Sequence, residues 1–188
     1  MVENGIVETV IAEMENCFSE HNEYFSKTRD VFLARLQSFI LETKKYLEAA
    51  IISEIGNNTF DHNFGIYSAC PGGVYCNIQY KQKYTVLADY GRGVRQSLLT
   101  VLPSISSDTE AVRAAFTMRI SGRSPEQRGN GLKFVSETVQ QNNWHLYFQS
   151  GSGSCSIDRN GIGFLEKEKS ISGCLAILDF SGDYNYAC

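Results

Sequence analysis

The sequence predicts an α/β two-layer sandwich of the α+β kind, with helices packed on one face of a mixed, mostly antiparallel sheet. In the first third of the 188 residues, apolar side chains recur at three- and four-residue steps, the spacing of amphipathic helices. Beyond residue 73 they form short β-branched and aromatic runs bounded by turn residues, which is typical of strands. Because 43% of the residues are hydrophobic, a chain of this length can bury one core.

The amino-terminal periodicity predicts three helices. The first covers residues 6–18, and the second covers 30–48 with Asp30 as its N-cap. The third runs from about Tyr46 to His62 and is either continuous with the second or broken near Lys44. Gly56 costs this helix roughly 1 kcal/mol relative to alanine, so we expect a close approach there to a ligand or to the sheet. We predict a helical extension over 1–45 and a main domain over 46–188.

The remaining elements follow from strand and cap signals. Ser107 to Glu110 fits a capping box, which opens a helix that continues to Met118. Another helix follows the glycine-rich stretch that ends near Asn130. Gly151 to Ser154 is read as a short hairpin turn. The predicted strands cover 74–80, 84–89, 144–149, 155–157, 162–167 and 174–180.

Composition excludes several classes of function. A net charge of -4 gives no overall field that attracts nucleic acid. No apolar run approaches the ~20 residues of a membrane span, and the acidic start lacks the features of a signal peptide. The six cysteines form no CxxC pair, which favours reduced structural thiols over a zinc site. We therefore expect a cytoplasmic protein with no membrane and no nucleic-acid partner.

Glu54, Asn58 and His62 follow one another at four-residue steps on the third predicted helix. At 3.6 residues per turn each step drifts only ~40°, so the three side chains share one face. A polar face of this kind can serve one ligand. Taken alone, it can equally be a solvated helix face.

One glycine segment directly follows a predicted strand, and a second opens a predicted helix. Asp89 ends an apolar strand and can accept a hydrogen bond from an exocyclic amine, while Gly91 and Gly93 let the backbone approach a ligand. The second segment opens a helix, whose free N–H groups form an anion site to which Lys133 adds charge. Ordinary turns and caps are the alternative interpretation. The two segments are Asp89-Tyr90-Gly91-Arg92-Gly93-Val94 and Arg128-Gly129-Asn130-Gly131-Leu132.

Together, in this order, the three motifs resemble the N, G1 and G2 boxes of the GHKL ATPases, whose Bergerat fold is a sandwich of this class. The resemblance covers roughly residues 46–180 and implies binding of ATP and Mg²⁺. It implies that Glu54 orients or deprotonates the attacking water, that Asn58 is the metal ligand and that Asp89 reads the adenine amino group. The remaining nucleotide-binding positions that it implies are Gly91, Gly93, Val94, Gly129, Gly131, Leu132 and Lys133.

The N box mixes two subfamily patterns. Asp61 resembles the Asn-x-x-Asp form of gyrase and Hsp90, whereas His62 resembles the Asn-x-x-x-His form of anti-sigma-factor kinases and is a second catalytic candidate. The Gly-Thr pair that supports the family's adenine pocket corresponds to Gly173-Cys174, where a thiol offers only a weak hydrogen bond.

The resemblance implies a standalone cytosolic regulatory ATPase or protein kinase that acts on a protein partner. Residues 95–128 occupy the place of the ATP lid, with Arg119, Arg123 and Arg128 as contacts for phosphate or a partner. The alternatives are a non-hydrolysing ATP-gated interaction module and a structural domain with coincidental glycine loops. The apolar faces of helices 6–48 also suggest a homodimer surface.

Overall fold

The computed structural model describes residues 4–17, 23–63, 73–81, 83–118 and 131–182. Within these residues, five strands form one open sheet in the order β1 (Phe25–Ser26), β2 (Val74–Tyr80), β3 (Tyr84–Asp89), β5 (Gly161–Asp179) and β4 (His145–Asp158), and each pairing is antiparallel. The α+β two-layer class is confirmed. The elements are α1 (Asn4–Cys17), β1 (Phe25–Ser26), α2 (Arg29–Thr43), α3 (Tyr46–Asn63), β2 (Val74–Tyr80), β3 (Tyr84–Asp89), α4 (Gly93–Leu98), α5 (Asp108–Thr117), α6 (Gly131–Gln141), β4 (His145–Asp158) and β5 (Gly161–Asp179).

The break between α2 and α3 lies at Lys44, as one of the two sequence alternatives requires. Lys44 caps α2 in the left-handed conformation, with a φ of 60°. The N-cap of α2 is Thr28, whose hydroxyl accepts from the Val31 N–H, so the assignment of Asp30 as the cap was wrong by two residues. Asp30 instead lies in the first turn of α2, where its carboxylate stabilises the helix by interacting favourably with the helix dipole.

Gly56 is explained by helix packing. A Cβ at this position would lie 2.7 Å from Cε1 of Phe32, whose buried ring comes from α2. The expectation that Gly56 allows a close approach to a ligand or to the sheet was therefore wrong, because its close neighbour is another helix. Phe32 and Leu36 join the main core, so α2 packs tightly on the main body. The predicted domain boundary between 45 and 46 stays a prediction.

The sheet is covered on both faces. Helices α2, α3, α5 and α6 contribute to the larger core on one face, which includes Phe32, Ile52, Phe116, Val135, Leu146 and Leu178. On the other face α1 buries Ile6, Val7, Val10 and Ile11 against alternate residues of the same strands, which include Tyr84, Val86, Tyr147 and Ile177. Alternation of side chains across a strand accounts for this division. The apolar face of α1 is therefore buried against the sheet of the same chain.

The β4–β5 ribbon bends back on itself. His145 Nε2 and Ser156 Oγ are 3.0 Å apart, although a straight strand would separate these residues by about 35 Å. The pairing register shifts at Ser150 to Gly153, next to the start of α5. Gly151 to Ser154 is therefore a bend inside β4, and the prediction of a hairpin turn was wrong. Two long strands replace the four that were predicted over this region.

Helix α5 lies inside this bend. Phe116 packs edge-on against Phe148 with ring centroids 5.1 Å apart, and Arg113 stacks 4.2 Å from the ring centre of Phe164. At its N-terminus the predicted N-cap Ser107 is confirmed, since its hydroxyl accepts from the Glu110 N–H, while the Glu110 carboxylate accepts from the Ser106 N–H. Within the described residues, no helix is both long and apolar enough to cross a membrane.

Candidate functional site

The carboxyl end of β3 and the neighbouring face of α3 form the candidate site. Glu54 is exposed on α3, and Asn58 and His62 are half-buried further along the same helix. Burial and the positive charge of Arg92 lower the pKa of His62 below its usual 6.5. The imidazole is therefore neutral at pH 7.

Glu54 reaches the N-terminus of α6. A Cβ built on Gly131 would overlap Oε2 of Glu54 and lie 3.5 Å from its Cδ. Gly131 is the first residue of α6, where backbone N–H groups lack helical partners. The first and third motifs, which are remote in sequence, are therefore in contact, and a side chain added at Gly131 would displace the Glu54 carboxylate.

Asp89 is the buried acceptor of the second motif, with only 4% of its surface exposed. Its Oδ1 accepts from the Gly91 N–H at 2.6 Å, which closes a tight turn directly after β3. Its Oδ2 accepts from the Thr59 hydroxyl of α3 at 3.0 Å. The carboxylate is thus held by donors from two different elements.

The turn that follows Asp89 is fixed by Ser150 of β4. Its hydroxyl accepts from the Val94 N–H and donates to the Gly173 carbonyl, both at 2.9 Å. Gly93 has a φ of 76°, and a Cβ there would come 2.8 Å from the Ser150 hydroxyl. This position therefore requires glycine both for its backbone conformation and for the space around it.

Gly173 and Cys174 lie directly beside Asp89. Cys174 is paired with Asp89 across β3 and β5, and a Cβ at Gly173 would come 2.8 Å from Oδ1 of Asp89. Burial raises the pKa of the Cys174 thiol well above its usual value, and the charge of Asp89 adds to this effect. The thiol stays neutral and contacts Ser150 Oγ at 3.6 Å.

Asp61 is engaged by a residue outside this group. It forms an ion pair with Arg29 of α2, whose guanidinium also lies 5.8 Å from the ring centre of Phe60. Three residues of helix rotate the direction by about 300°, so Asp61 is only about 60° from Asn58 around α3, and it is the ion pair with Arg29 that engages its carboxylate. The predicted role of Asp61 at a nucleotide stays a prediction.

The residues that follow Gly131 have separate environments. Leu132 is half-buried against the main core. The Lys133 ammonium lies 3.8 Å from Glu137, one turn along α6, rather than at the helix N-terminus. Gly129, Arg119, Arg123 and Arg128 lie outside the described residues, as does His21.

Residues 95–118 of the expected lid belong to the body of the protein. Leu98, Ala111, Ala114 and Phe116 are buried, and Asp108 accepts from the Ser152 N–H of β4 at 3.0 Å. A segment packed in this way is scaffold, so the expectation of a lid over 95–128 is wrong for residues 95–118, and the rest of that range lies outside the described part of the chain. The sequence also missed the short helix α4.

Sequence reasoning did not identify Thr59 or Ser150 as site residues. A threonine on a helix and a serine in a strand are usually unremarkable, and only tertiary structure brings their hydroxyls to Asp89 and Val94. Ser150 lies far in sequence from all three motifs, and Thr59 follows Asn58 without being part of the motif pattern.

A comparison with models of protein families finds no match, and a comparison with curated proteins finds no significant similarity. Among the residues that the structure describes, no group of three or more His, Cys, Asp or Glu side chains is arranged to hold a metal ion.

Proposed function

We propose that this chain is a Mg-ATP-binding domain of the GHKL type that acts as a cytosolic regulatory ATPase or protein kinase on a protein partner. The observation that carries the proposal is the position of α3 between the other two motifs. Its Glu54 touches Gly131 at the start of α6, and its Thr59 bonds Asp89 after β3. One helix therefore links an anion site to a buried hydrogen-bond acceptor.

The chemistry of these two ends suits a nucleotide. The N-terminus of α6 offers N–H groups without intrahelical partners and a positive helix dipole to phosphates. Asp89 offers a buried acceptor to an exocyclic amine. Phosphoryl transfer depends mainly on positioning and neutralisation of charge, so a single carboxylate that orients a water molecule, as proposed for Glu54, is sufficient protein chemistry.

Asn58 fits the proposed magnesium site by its donor type. Its amide oxygen lies one turn from Glu54 on the same face of α3. Mg²⁺ retains several waters and is usually bound through one or two protein oxygens together with substrate phosphates. A cage of protein ligands is therefore unnecessary, and the ion would supply charge neutralisation at the phosphates.

The proposed partner surface lies on α2 and the start of α3. Because α1 buries its apolar face on the sheet, a homodimer through the amino-terminal helices would use other residues. Leu41 and Tyr46 are 62% and 65% exposed, and Val31, Leu33 and Leu47 are also exposed. The described cysteines, Cys76, Cys155 and Cys174, are free thiols, which agrees with the proposed reducing compartment.

Binding of ATP to Asp89→Asn tests this proposal. The substitution keeps the size of the side chain but replaces one acceptor oxygen with an NH₂ group, so a bound adenine amine loses its partner. Such a loss costs ~1–3 kcal/mol, or about 5- to 150-fold in affinity. The matched control is Asp179→Asn, since Asp179 is also buried but pairs with Tyr84 at the other end of β3.

Calorimetric titration in the presence of Mg²⁺ measures the affinities of the wild type and of both variants for ATP and for GTP. We expect wild type and Asp179→Asn to bind ATP in preference to GTP, and Asp89→Asn to lose that binding while remaining folded by circular dichroism. Equal affinities of the two variants for ATP, or no ATP binding by the wild type, would overturn the proposal.

Glu54→Gln separates an enzyme from a gated interaction module. The amide keeps the shape of the side chain but is not a base, so an enzyme should bind Mg-ATP nearly as before while turnover falls by ~10²–10⁴-fold. Phosphate release that Glu54→Gln leaves unchanged would exclude a catalytic role for Glu54. Negligible hydrolysis by the wild type, combined with ATP binding, would identify the module.

A further inference from the structure

The orientation of Asp89 depends on a residue of a different layer. Thr59 belongs to α3 and Asp89 to β3, and both are almost completely buried, at 5% and 4% exposure. The 3.0 Å hydrogen bond from Thr59 Oγ1 to Oδ2 joins the helix to the strand end. With the Gly91 N–H on Oδ1, it fixes the plane of the carboxylate.

A fixed carboxylate plane favours binding of a ligand amine. An ionised carboxylate has about four lone-pair directions, and the bonds from Thr59 and Gly91 occupy one on each oxygen. Because these two bonds fix the plane of the carboxylate, the directions of its lone pairs are set by the protein before any ligand arrives. A ligand amine that meets a preset acceptor avoids the cost of ordering it.

The neighbouring strand cannot supply the same contact well. Cys174 lies opposite Asp89 in the pairing of β3 with β5, but its thiol is a weak donor and contacts Ser150. The Ser150 hydroxyl donates to the Gly173 carbonyl. The hydroxyl that reaches Asp89 therefore comes from the helix.

We propose that Thr59 is the positioning residue that orients the Asp89 carboxylate toward the 6-amino group of a purine, and that it thereby sets the preference of the site for adenine. The proposal rests on the proposed function, because it requires that Asp89 contact the base. Thr59 acts through Asp89 and takes no part in phosphoryl chemistry.

The test uses two substitutions and two nucleotides. Thr59→Val keeps the volume and the β-branch but removes the hydroxyl, whereas Thr59→Ser keeps the hydroxyl and removes the methyl group. ATP is compared with purine riboside triphosphate, which lacks only the 6-amino group. Calorimetry gives the ratio of the two affinities for each protein, and thermal unfolding shows that each variant is folded.

We expect wild type and Thr59→Ser to prefer ATP, and Thr59→Val to lose about ten-fold of that preference through weaker ATP binding. Binding of purine riboside triphosphate should be similar in all three proteins. If Thr59 were merely structural, Thr59→Val would weaken both nucleotides alike, and this result would overturn the inference.

Two outcomes separate this inference from the proposed function. A Thr59→Val protein that keeps the full preference for ATP would refute the role of Thr59 and leave the ATP site standing. A wild-type protein that binds neither nucleotide, or binds both equally, would refute adenine reading by Asp89 and the role of Thr59 with it.

Discussion

Gly131→Ala should impair catalysis with little effect on stability. The backbone of Gly131 is not left-handed, so alanine is sterically allowed in the chain itself. The new Cβ would overlap Oε2 of Glu54, which must move by roughly 1 Å to reach a normal contact distance. Since Glu54 is exposed, this movement is cheap, and the free energy of unfolding should change by no more than about 0.5 kcal/mol.

The same movement of the Glu54 carboxylate should lower the rate of the proposed reaction. Misplacing a catalytic group by about 1 Å can lower a rate by about 10²-fold. We therefore expect Gly131→Ala to reduce ATP turnover about 10²-fold in a steady-state phosphate-release assay. The double variant with Glu54→Gln should be no slower than Glu54→Gln alone, because both changes act on one carboxylate.

Gly5→Ala is the matched control for this experiment. It makes the same substitution in a helix, but nothing lies within 4 Å of the added Cβ. We expect it to keep wild-type turnover. Wild-type turnover in Gly131→Ala, or a further loss in the double variant beyond that of Glu54→Gln, would refute the contact between Glu54 and the start of α6 as a catalytic feature.

Two further predictions concern stability. Urea titration should show that Gly56→Ala destabilises the protein by up to about 2 kcal/mol, because overpacking against Phe32 outweighs the gain of about 1 kcal/mol in helix propensity. In a Phe32→Ala background the same change should instead stabilise, and stabilisation in both backgrounds would contradict the packing. Burial lowers the pKa of His145 to about 4, so the unfolded state alone binds this proton between pH 6.5 and 4. The free energy of unfolding is therefore at its full value above pH 6.5 and falls by about 3 kcal/mol as the pH falls to 4. In His145→Gln the urea midpoint should depend less on pH over this range. The same pH dependence in wild type and variant would contradict this prediction.

Local chemistry made much of the fold predictable. The N-cap at Ser107 and the bounds of α3 and β3 depend on residues that are close together in the sequence. The bend of β4 was missed because it depends on a distant element. A Cβ at Gly153 would overlap the backbone of Asp108, a contact that no local glycine pattern reveals.

The site was predictable to a similar extent. Periodicity placed Glu54, Asn58 and His62 on one face of α3, and the structure agrees. The ion pair of Asp61 was not predictable, because its partner Arg29 belongs to another helix. The bond from Thr59 to Asp89 was missed for the same reason, since helix-to-strand contacts are set by packing of the two layers.

Hydrogen exchange with and without Mg-ATP tests the central claim most directly, because the claim is that three separate segments form one nucleotide site. Exchange reports local opening, which a bound ligand suppresses where it contacts the protein. We predict that ATP slows exchange together in residues 54–62, in 89–94 and at the start of α6, and leaves the outer part of the β4–β5 ribbon, residues 156–166, unchanged. Protection confined to one of the three segments, or none at a saturating ATP concentration, would contradict the account.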